Sequence, residues 1–129
     1  MAAPYAFRIT LRGDVVVVTE QGLARFEDVE QALVAAISAA GDSGKKILFD
    51  HRLADISNYY GYIVRHAETA LRIGLDATFR VALLGTPEQD DILSFMVTVG
   101  RNRGWNSRCF SDLDEALAWL HMDLDESPA

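Results

Sequence analysis

The chain has 129 residues, of which 50% are hydrophobic and 24% charged, a balance typical of one folded domain with its own core. A formal net charge of −7 without a basic stripe argues against nucleic acid and anionic membrane surfaces as partners. The single Cys109 excludes an intrachain disulfide, and no apolar run is long enough to span a bilayer. We therefore expect a cytoplasmic protein without membrane insertion.

The first third of the chain predicts a hairpin followed by a helix. Apolar and polar residues alternate from about residue 6, Gly13-Asp14 favours a tight turn, and residues 15–20 form a second, more hydrophobic strand. From about residue 25 to residue 40 the apolar positions recur with helical spacing, so a helix is expected there.

The most informative stretch is the apolar run Lys46-Ile47-Leu48-Phe49-Asp50. A short apolar run flanked by charge is typical of a strand that is buried on both faces of a parallel sheet. Ligands and partners gather at the carboxyl ends of such strands, so we expect the functional surface in the loop formed by residues 51–58. A second helix is expected from Ser57 or Asn58, which are both good N-cap residues.

The remainder predicts a fourth strand at residues 79–84, a third helix, a fifth strand at residues 107–110 and a last helix. Thr86-Pro87-Glu88-Gln89 has the pattern of a capping box at the start of the third helix. The order ββαβαβαβα predicts an α/β fold with a single five-stranded mixed, mostly parallel sheet and four helices. One domain covers residues 1–129, with a core at about residues 5–121 and an acidic tail at residues 122–129.

The order and spacing of several stretches resemble the SpoIIAA-like family, also described as STAS/SEC14-like domains. The stretches are the opening hairpin, Ile47-Leu48-Phe49-Asp50, residues 80–85, and an ending in which Asn102-Arg103-Gly104-Trp105 precedes residues 108–120. The resemblance implies a mixed sheet with packed helices and a non-enzymatic role without a cofactor. It also implies a protein partner, since STAS domains such as anti-sigma-factor antagonists bind other proteins.

STAS domains are switched by phosphorylation of a serine at the start of the helix after the central strand, in a pattern like Asp-Ser-Ser-Gly. The equivalent stretch here is Asn58-Tyr59-Tyr60-Gly61, which has no serine. Ser57 is displaced from the matching positions and is the candidate phosphoacceptor that remains.

Three tyrosines close to one another, Tyr59, Tyr60 and Tyr62, predict a contact surface. Neighbours on a helix are separated by about 100°, so at least one ring should be exposed. Exposed aromatic rings are favoured at protein interfaces, although two of these rings could instead pack under adjacent loops. The expected partner is either another protein or a second copy of this chain. The expected partner or ligand surface comprises His51, Arg52, Asp55, Ser57, Asn58, Tyr59 and Tyr62.

Two other functions remain as alternatives. One is a carrier of a small apolar or lipid-like ligand, held between the second and third helices by Ile63, Phe95 and Met96. The other is acid–base catalysis by Asp50, His51 and Asp55. Consecutive strand residues face opposite sides of a sheet, so Asp50 and His51 should not converge, and Asp and Arg side chains that pair within the loop are the simpler interpretation. No spacing typical of metal ligands occurs.

Overall fold

The structure, a computed structural model, describes residues 3–122. Its elements follow the predicted order ββαβαβαβα. The strands are β1 (Ala6–Arg12), β2 (Val15–Leu23), β3 (Lys46–Asp55), β4 (Arg80–Leu84) and β5 (Asn106–Phe110). The helices are α1 (Phe26–Gly41), α2 (Ile63–Arg72), α3 (Asp90–Asn102) and α4 (Leu113–His121). Apart from Met122, the predicted acidic tail lies outside the described residues.

The five strands form one sheet in the order β1-β2-β3-β4-β5, with β3 in the middle. β1 is antiparallel to β2 and lies at an edge, whereas the other neighbours are parallel. The predicted α/β fold with a mixed, mostly parallel sheet is therefore confirmed. Gly13 has a φ of +64° in the two-residue turn between β1 and β2, a conformation that glycine adopts without steric cost.

Both faces of the sheet are covered by helices. The apolar side chains of one face, which include Ile47 and Phe49 of β3, pack against residues of α1, α2 and α3. The opposite face includes Leu48 and packs against α4 through Trp119 and Leu120. This two-sided burial explains why the β3 sequence is continuously apolar, because alternate residues of the strand enter different cores.

The carboxyl half of β3 differs from the predicted loop. β3 continues to Asp55 because β2 extends to Leu23 and supplies backbone partners as far as the pair of Leu23 with Asp55. The second helix also begins later than expected. A single 3₁₀ turn occupies Tyr60–Tyr62, and α2 begins at Ile63 rather than at Ser57 or Asn58.

The predicted start of the third helix is confirmed. Thr86 and Gln89 form a capping box around a short 3₁₀ turn, Pro87–Gln89, that leads directly into α3. The Gln89 side chain accepts a hydrogen bond from the Thr86 N–H at 3.0 Å. Its amide also donates to the His51 and Ala54 carbonyl oxygens, at 2.9 and 3.1 Å, so Gln89 ties this turn to the carboxyl half of β3.

Within residues 3–122, no helix has the length and apolar character that crossing a membrane requires.

Candidate functional site

The carboxyl half of β3 contains a bulge that decides which side chains face the core. β3 has one residue more than β2 between the pairs Thr19–Asp50 and Gln21–Leu53. An extra residue reverses the alternation of side chains along a strand. His51, within the bulge, faces the core on the same side as Phe49, and Ala54 faces the core after it. Leu53, which strict alternation from His51 would bury, is instead 70% exposed.

Asp50 and Arg52 form a two-point ion pair on the sheet face opposite to His51. Arg52 Nε donates to one carboxylate oxygen of Asp50 and the guanidinium Nη2 donates to the other, each at 2.9 Å. The Arg52 backbone N–H also donates to Asp50 at 3.1 Å. The Asp50 carboxylate raises the pKa of Arg52. The expectation that Asp and Arg side chains pair with one another here is confirmed.

Asp55 and Ser57 form an exposed turn after β3. The Asp55 carboxylate accepts hydrogen bonds from the Ser57 hydroxyl at 2.7 Å and from the Ser57 backbone N–H at 3.1 Å. These hydrogen bonds lower the pKa of Asp55. The Ser57 hydroxyl, the candidate phosphoacceptor, is therefore exposed and donates a hydrogen bond to the Asp55 carboxylate.

Two ionisable side chains that belong to adjacent strands, Glu20 and His51, meet in the interior. Glu20 is 2% exposed and His51 7%. Glu20 Oε2 lies 2.8 Å from His51 Nδ1. The two atoms are within ion-pair distance, but the angle between them is not that of a regular hydrogen bond. The Tyr5 hydroxyl donates to the other carboxylate oxygen at 2.6 Å. Glu20 thus connects the amino-terminal segment with the central strand.

The electrostatics of this cluster are dominated by burial and by Glu20. Burial alone lowers the pKa of His51, but the Glu20 carboxylate, with a smaller contribution from Asp50, outweighs it and leaves the pKa above the usual value. Burial, and after it Glu20, raises the pKa of Tyr5. The Tyr5 hydroxyl therefore stays protonated and donates its hydrogen bond, and the protonated form of His51 is favoured.

A second buried pair lies on the helical side of the same region. The Tyr59 hydroxyl is 2.5 Å from His66 Nδ1, and His66 Nε2 is 3.0 Å from the Phe26 carbonyl oxygen. Burial lowers the pKa of His66, so the imidazole is neutral, with Nε2–H donating to Phe26 and Nδ1 accepting from Tyr59. The pair joins the segment before α2 to the start of α1.

These two clusters border a mainly apolar cavity of about 100 Å³ between the sheet and α1–α3. Its polar lining consists of Glu20, His51, Tyr59, His66 and Ser107, and the rest is aliphatic or aromatic. An engineered cavity of about 150 Å³ holds one benzene molecule, so this smaller space does not enclose a lipid chain. It gives the lipid-like part of the carrier hypothesis no support.

The residues expected around an apolar ligand are only partly brought together. Ile63 and Met96 line the cavity, whereas Phe95 is 39% exposed and packs against the Tyr60 ring, with centroids 5.9 Å apart. Phe95 projects outward because it lies at the edge of the buried face of α3, on the far side of Ile92 from the buried Leu93.

The expected partner surface also requires a correction. Arg52, Asp55, Ser57 and Asn58 are exposed, as anticipated. His51 and Tyr59 are not accessible, because each makes an interior contact with an ionisable partner. Tyr62 is half-buried and contacts the Phe26 ring edge-on. Among the three tyrosines, Tyr60 is the exposed one, at 47%.

Asp50, His51 and Asp55 do not form a catalytic group. Each has a different partner, namely Arg52, Glu20 and Ser57. Sequence reasoning missed Glu20 and Tyr5. A signal for Glu20 was present, because an acid at this position shares its strand face with the buried Val16 and Val18. Among the described residues, no group of three His, Cys, Asp or Glu side chains could hold a metal ion.

Comparison with known proteins supports the fold. No protein-family profile matches the chain, and no curated protein matches it significantly. An anti-sigma factor antagonist from Mycobacterium paratuberculosis has a similar structure, with a TM-score of 0.66, 12% identity, and coverage of 95% of this chain and 100% of that chain. An uncharacterized protein with a SpoIIAA-like fold from Shewanella loihica PV-4 gives a TM-score of 0.57 at 22% identity, over 93% of this chain and 95% of that chain. The chain described here therefore has a SpoIIAA-like fold.

Proposed function

We propose that this protein is a non-enzymatic regulatory module that binds a protein partner through exposed residues that follow the bulge of β3. We call these residues the rim surface. They are Arg52, Leu53, Asp55, Ser57, Asn58 and Tyr60. One solved structure with the same fold is an anti-sigma factor antagonist, a name that describes action on another protein.

The observation that carries this proposal is the exposure of large apolar side chains at this end of the molecule. Leu53 is 70% exposed, and Tyr60 is 47% exposed in contact with Phe95. Val64, one helical turn after Tyr60, is 42% exposed. Aromatic and aliphatic side chains surrounded by polar groups form the energetic centres of protein interfaces. The Arg52 and Asp55 side chains supply the polar surroundings.

A double substitution, Leu53→Ser with Tyr60→Ser, tests the proposal. The matched control is Leu11→Ser on β1, since Leu11 is 65% exposed and pairs with Val16 at the opposite end of β2. Exposed substitutions usually change stability by about 0.5 kcal/mol or less, so all variants should fold. Binding is measured by quantitative capture from the native cell extract, and self-association by sedimentation over a concentration series.

We expect the wild type and Leu11→Ser to retain the same partner or the same dimer, and the double variant to lose at least tenfold in recovery or affinity. A wild type that is strictly monomeric and captures no partner contradicts the proposal. Equal binding by the control and the double variant also contradicts it.

Ser57 is the proposed point of regulation on the rim surface. A phosphate on its hydroxyl would face the Asp55 carboxylate, which now accepts that hydroxyl at 2.7 Å. The resulting repulsion would open the turn. Intact-mass analysis of protein isolated from its native cells should detect one phosphate that Ser57→Ala lacks, and its absence under all growth conditions contradicts this part.

The proposal places the protein in the cytoplasm, where the lone half-buried thiol of Cys109 stays reduced. Cell fractionation tests the location. Recovery in a membrane or exported fraction contradicts it.

A further inference from the structure

We propose that the cavity between the sheet and α1–α3 is a binding site for a small, neutral, largely apolar molecule carrying one hydroxyl group, which contacts His51 Nε2. This inference does not depend on the rim surface or on a protein partner. Its basis is one buried polar atom that the protein itself leaves without a partner.

Three buried side-chain atoms among the described residues lack a regular hydrogen bond: Glu20 Oε2, His51 Nδ1 and His51 Nε2. The first two face each other at 2.8 Å and satisfy one another as an ion pair. Nε2 has no such contact, although the His51 side chain is only 9% exposed. A buried nitrogen without a partner is costly, so a group inside the cavity that completes it would be stabilised.

Contacts on two sides of the His51 ring limit which part of it can face the cavity. One edge of His51 is occupied by Glu20 through Nδ1, and one face of the ring stacks against Phe49 at an interplanar angle of 13°. His51 also lines the cavity. By elimination, the ring edge that carries Nε2 is the one assigned to the cavity.

Water is a poor occupant of this space. A buried water molecule needs two to four polar partners. The Tyr59 hydroxyl already donates to His66 and the Ser107 hydroxyl to the Val97 carbonyl oxygen, so neither hydrogen is left for a water molecule. A nitrogen without a partner in mainly apolar walls instead suits a molecule with an apolar body and a single polar group.

The polar group is best a hydroxyl. The Glu20 carboxylate, 2.8 Å from Nδ1, favours a proton on that nitrogen, so Nε2 is an acceptor when the ring is neutral and a donor when the ring is charged. A hydroxyl serves either state. A carboxylate is disfavoured, since it would bring a second buried anion close to Glu20.

The cavity volume limits the size of the molecule. Six carbon atoms of benzene occupy an engineered cavity of about 150 Å³, so about 100 Å³ corresponds to about four non-hydrogen atoms. Propan-2-ol, a branched alcohol with four non-hydrogen atoms, has this size and is a suitable probe.

The experiment is an NMR titration of the ¹⁵N-labelled protein with propan-2-ol, with acetate and xenon as comparison probes. We expect saturable binding of the alcohol on the order of millimolar, a shift of His51 Nε2 on binding, and at least tenfold weaker binding of acetate. Xenon should enter the cavity without the Nε2 shift, because it makes no hydrogen bond.

Two variants identify the contact. His51→Leu keeps an apolar side chain at this position and should weaken alcohol binding about fivefold or more while xenon still binds. His121→Gln, at the exposed end of α4, should bind as the wild type does.

No saturable alcohol binding overturns the proposal, as does an alcohol affinity that His51→Leu leaves unchanged. If His51→Leu does not fold, the test is the ¹⁵N chemical shift of His51 Nε2 in the wild-type protein. Saturable alcohol binding that leaves this shift unchanged overturns the proposal.

Discussion

At the residue scale, the ionisable side chains near the end of β3 are divided between two separate ion pairs. Asp50 pairs with Arg52 on one face of the strand, and His51 pairs with Glu20 on the other. Their locations follow from strand geometry, because neighbouring residues point to opposite faces. The sequence predicted this divergence, but it gave no direct indication that Glu20 is the partner of His51.

The His51 and Glu20 pair makes stability depend on pH. The pKa of His51 is raised above its unfolded value of 6.5, so its stabilising contribution is complete below pH 6.5 and is lost as pH rises through the folded pKa. We expect the free energy of unfolding to fall with pH above 6.5 in the wild type, and to fall less in His51→Gln. Urea denaturation between pH 6.5 and pH 9 measures both slopes.

Leu11→Ser is the control for this measurement, because it changes an exposed side chain that does not titrate. It should keep the wild-type slope. The lowered pKa of His66 acts in the opposite direction, mainly below about pH 7.5, and it is common to all the variants, so the difference in slope between the wild type and His51→Gln belongs to His51. Identical slopes in the wild type and His51→Gln would contradict the assignment of the raised pKa.

At the element scale, the bulge in β3 is held by a side chain from another element. Gln89 lies before α3 and donates to the carbonyl oxygens of His51, within the bulge, and of Ala54, just after it. It also accepts from Thr86 in the capping box. One amide thus fixes both the start of α3 and the path of β3 on which the rim surface depends.

Gln89→Ala should therefore loosen both elements. Losing these hydrogen bonds leaves partly buried carbonyl groups unpaired, and we expect a loss of about 1–3 kcal/mol in the free energy of unfolding. Backbone amides of the residues around 51–55 should also exchange hydrogen faster in the folded protein.

Chemical denaturation and hydrogen exchange check this expectation, with the exposed neighbour variant Glu88→Ala as the control. If amide protection near β3 is equal in the two variants, Gln89 does not hold the bulge.

At the scale of the whole molecule, one sheet separates two apolar cores and belongs to both. Trp105 lies in the core formed with α1–α3, and Trp119 lies in the core formed with α4. β3 contributes Ile47 to the first core and Leu48 to the second. Because adjacent residues of one strand enter different cores, neither core can separate from the sheet without disturbing the other.

We therefore expect both cores to unfold in one transition. The chain contains two tryptophans, so Trp105→Phe and Trp119→Phe each leave a single fluorophore that reports on one core. Within each variant, the denaturation midpoint from fluorescence should equal the midpoint from far-ultraviolet circular dichroism. An earlier fluorescence transition in Trp105→Phe would show that α4 detaches first and would contradict the expectation.

The sequence by itself determined the fold class, the order of the elements and the central position of β3. These follow from local patterns, namely alternation in the hairpin, a continuous apolar run, and the capping box at Thr86. Periodicity and capping act over a few residues and can be read along the chain.

Only the tertiary structure decided which side chains form the site. The bulge exposes Leu53 and turns Ala54 toward the core, and it arises from pairing with β2 and support from Gln89, both distant in the chain. Tyr59 is buried because His66 offers a hydrogen-bond acceptor beneath it. Such pairings join residues through space, so the local pattern of the sequence does not contain them.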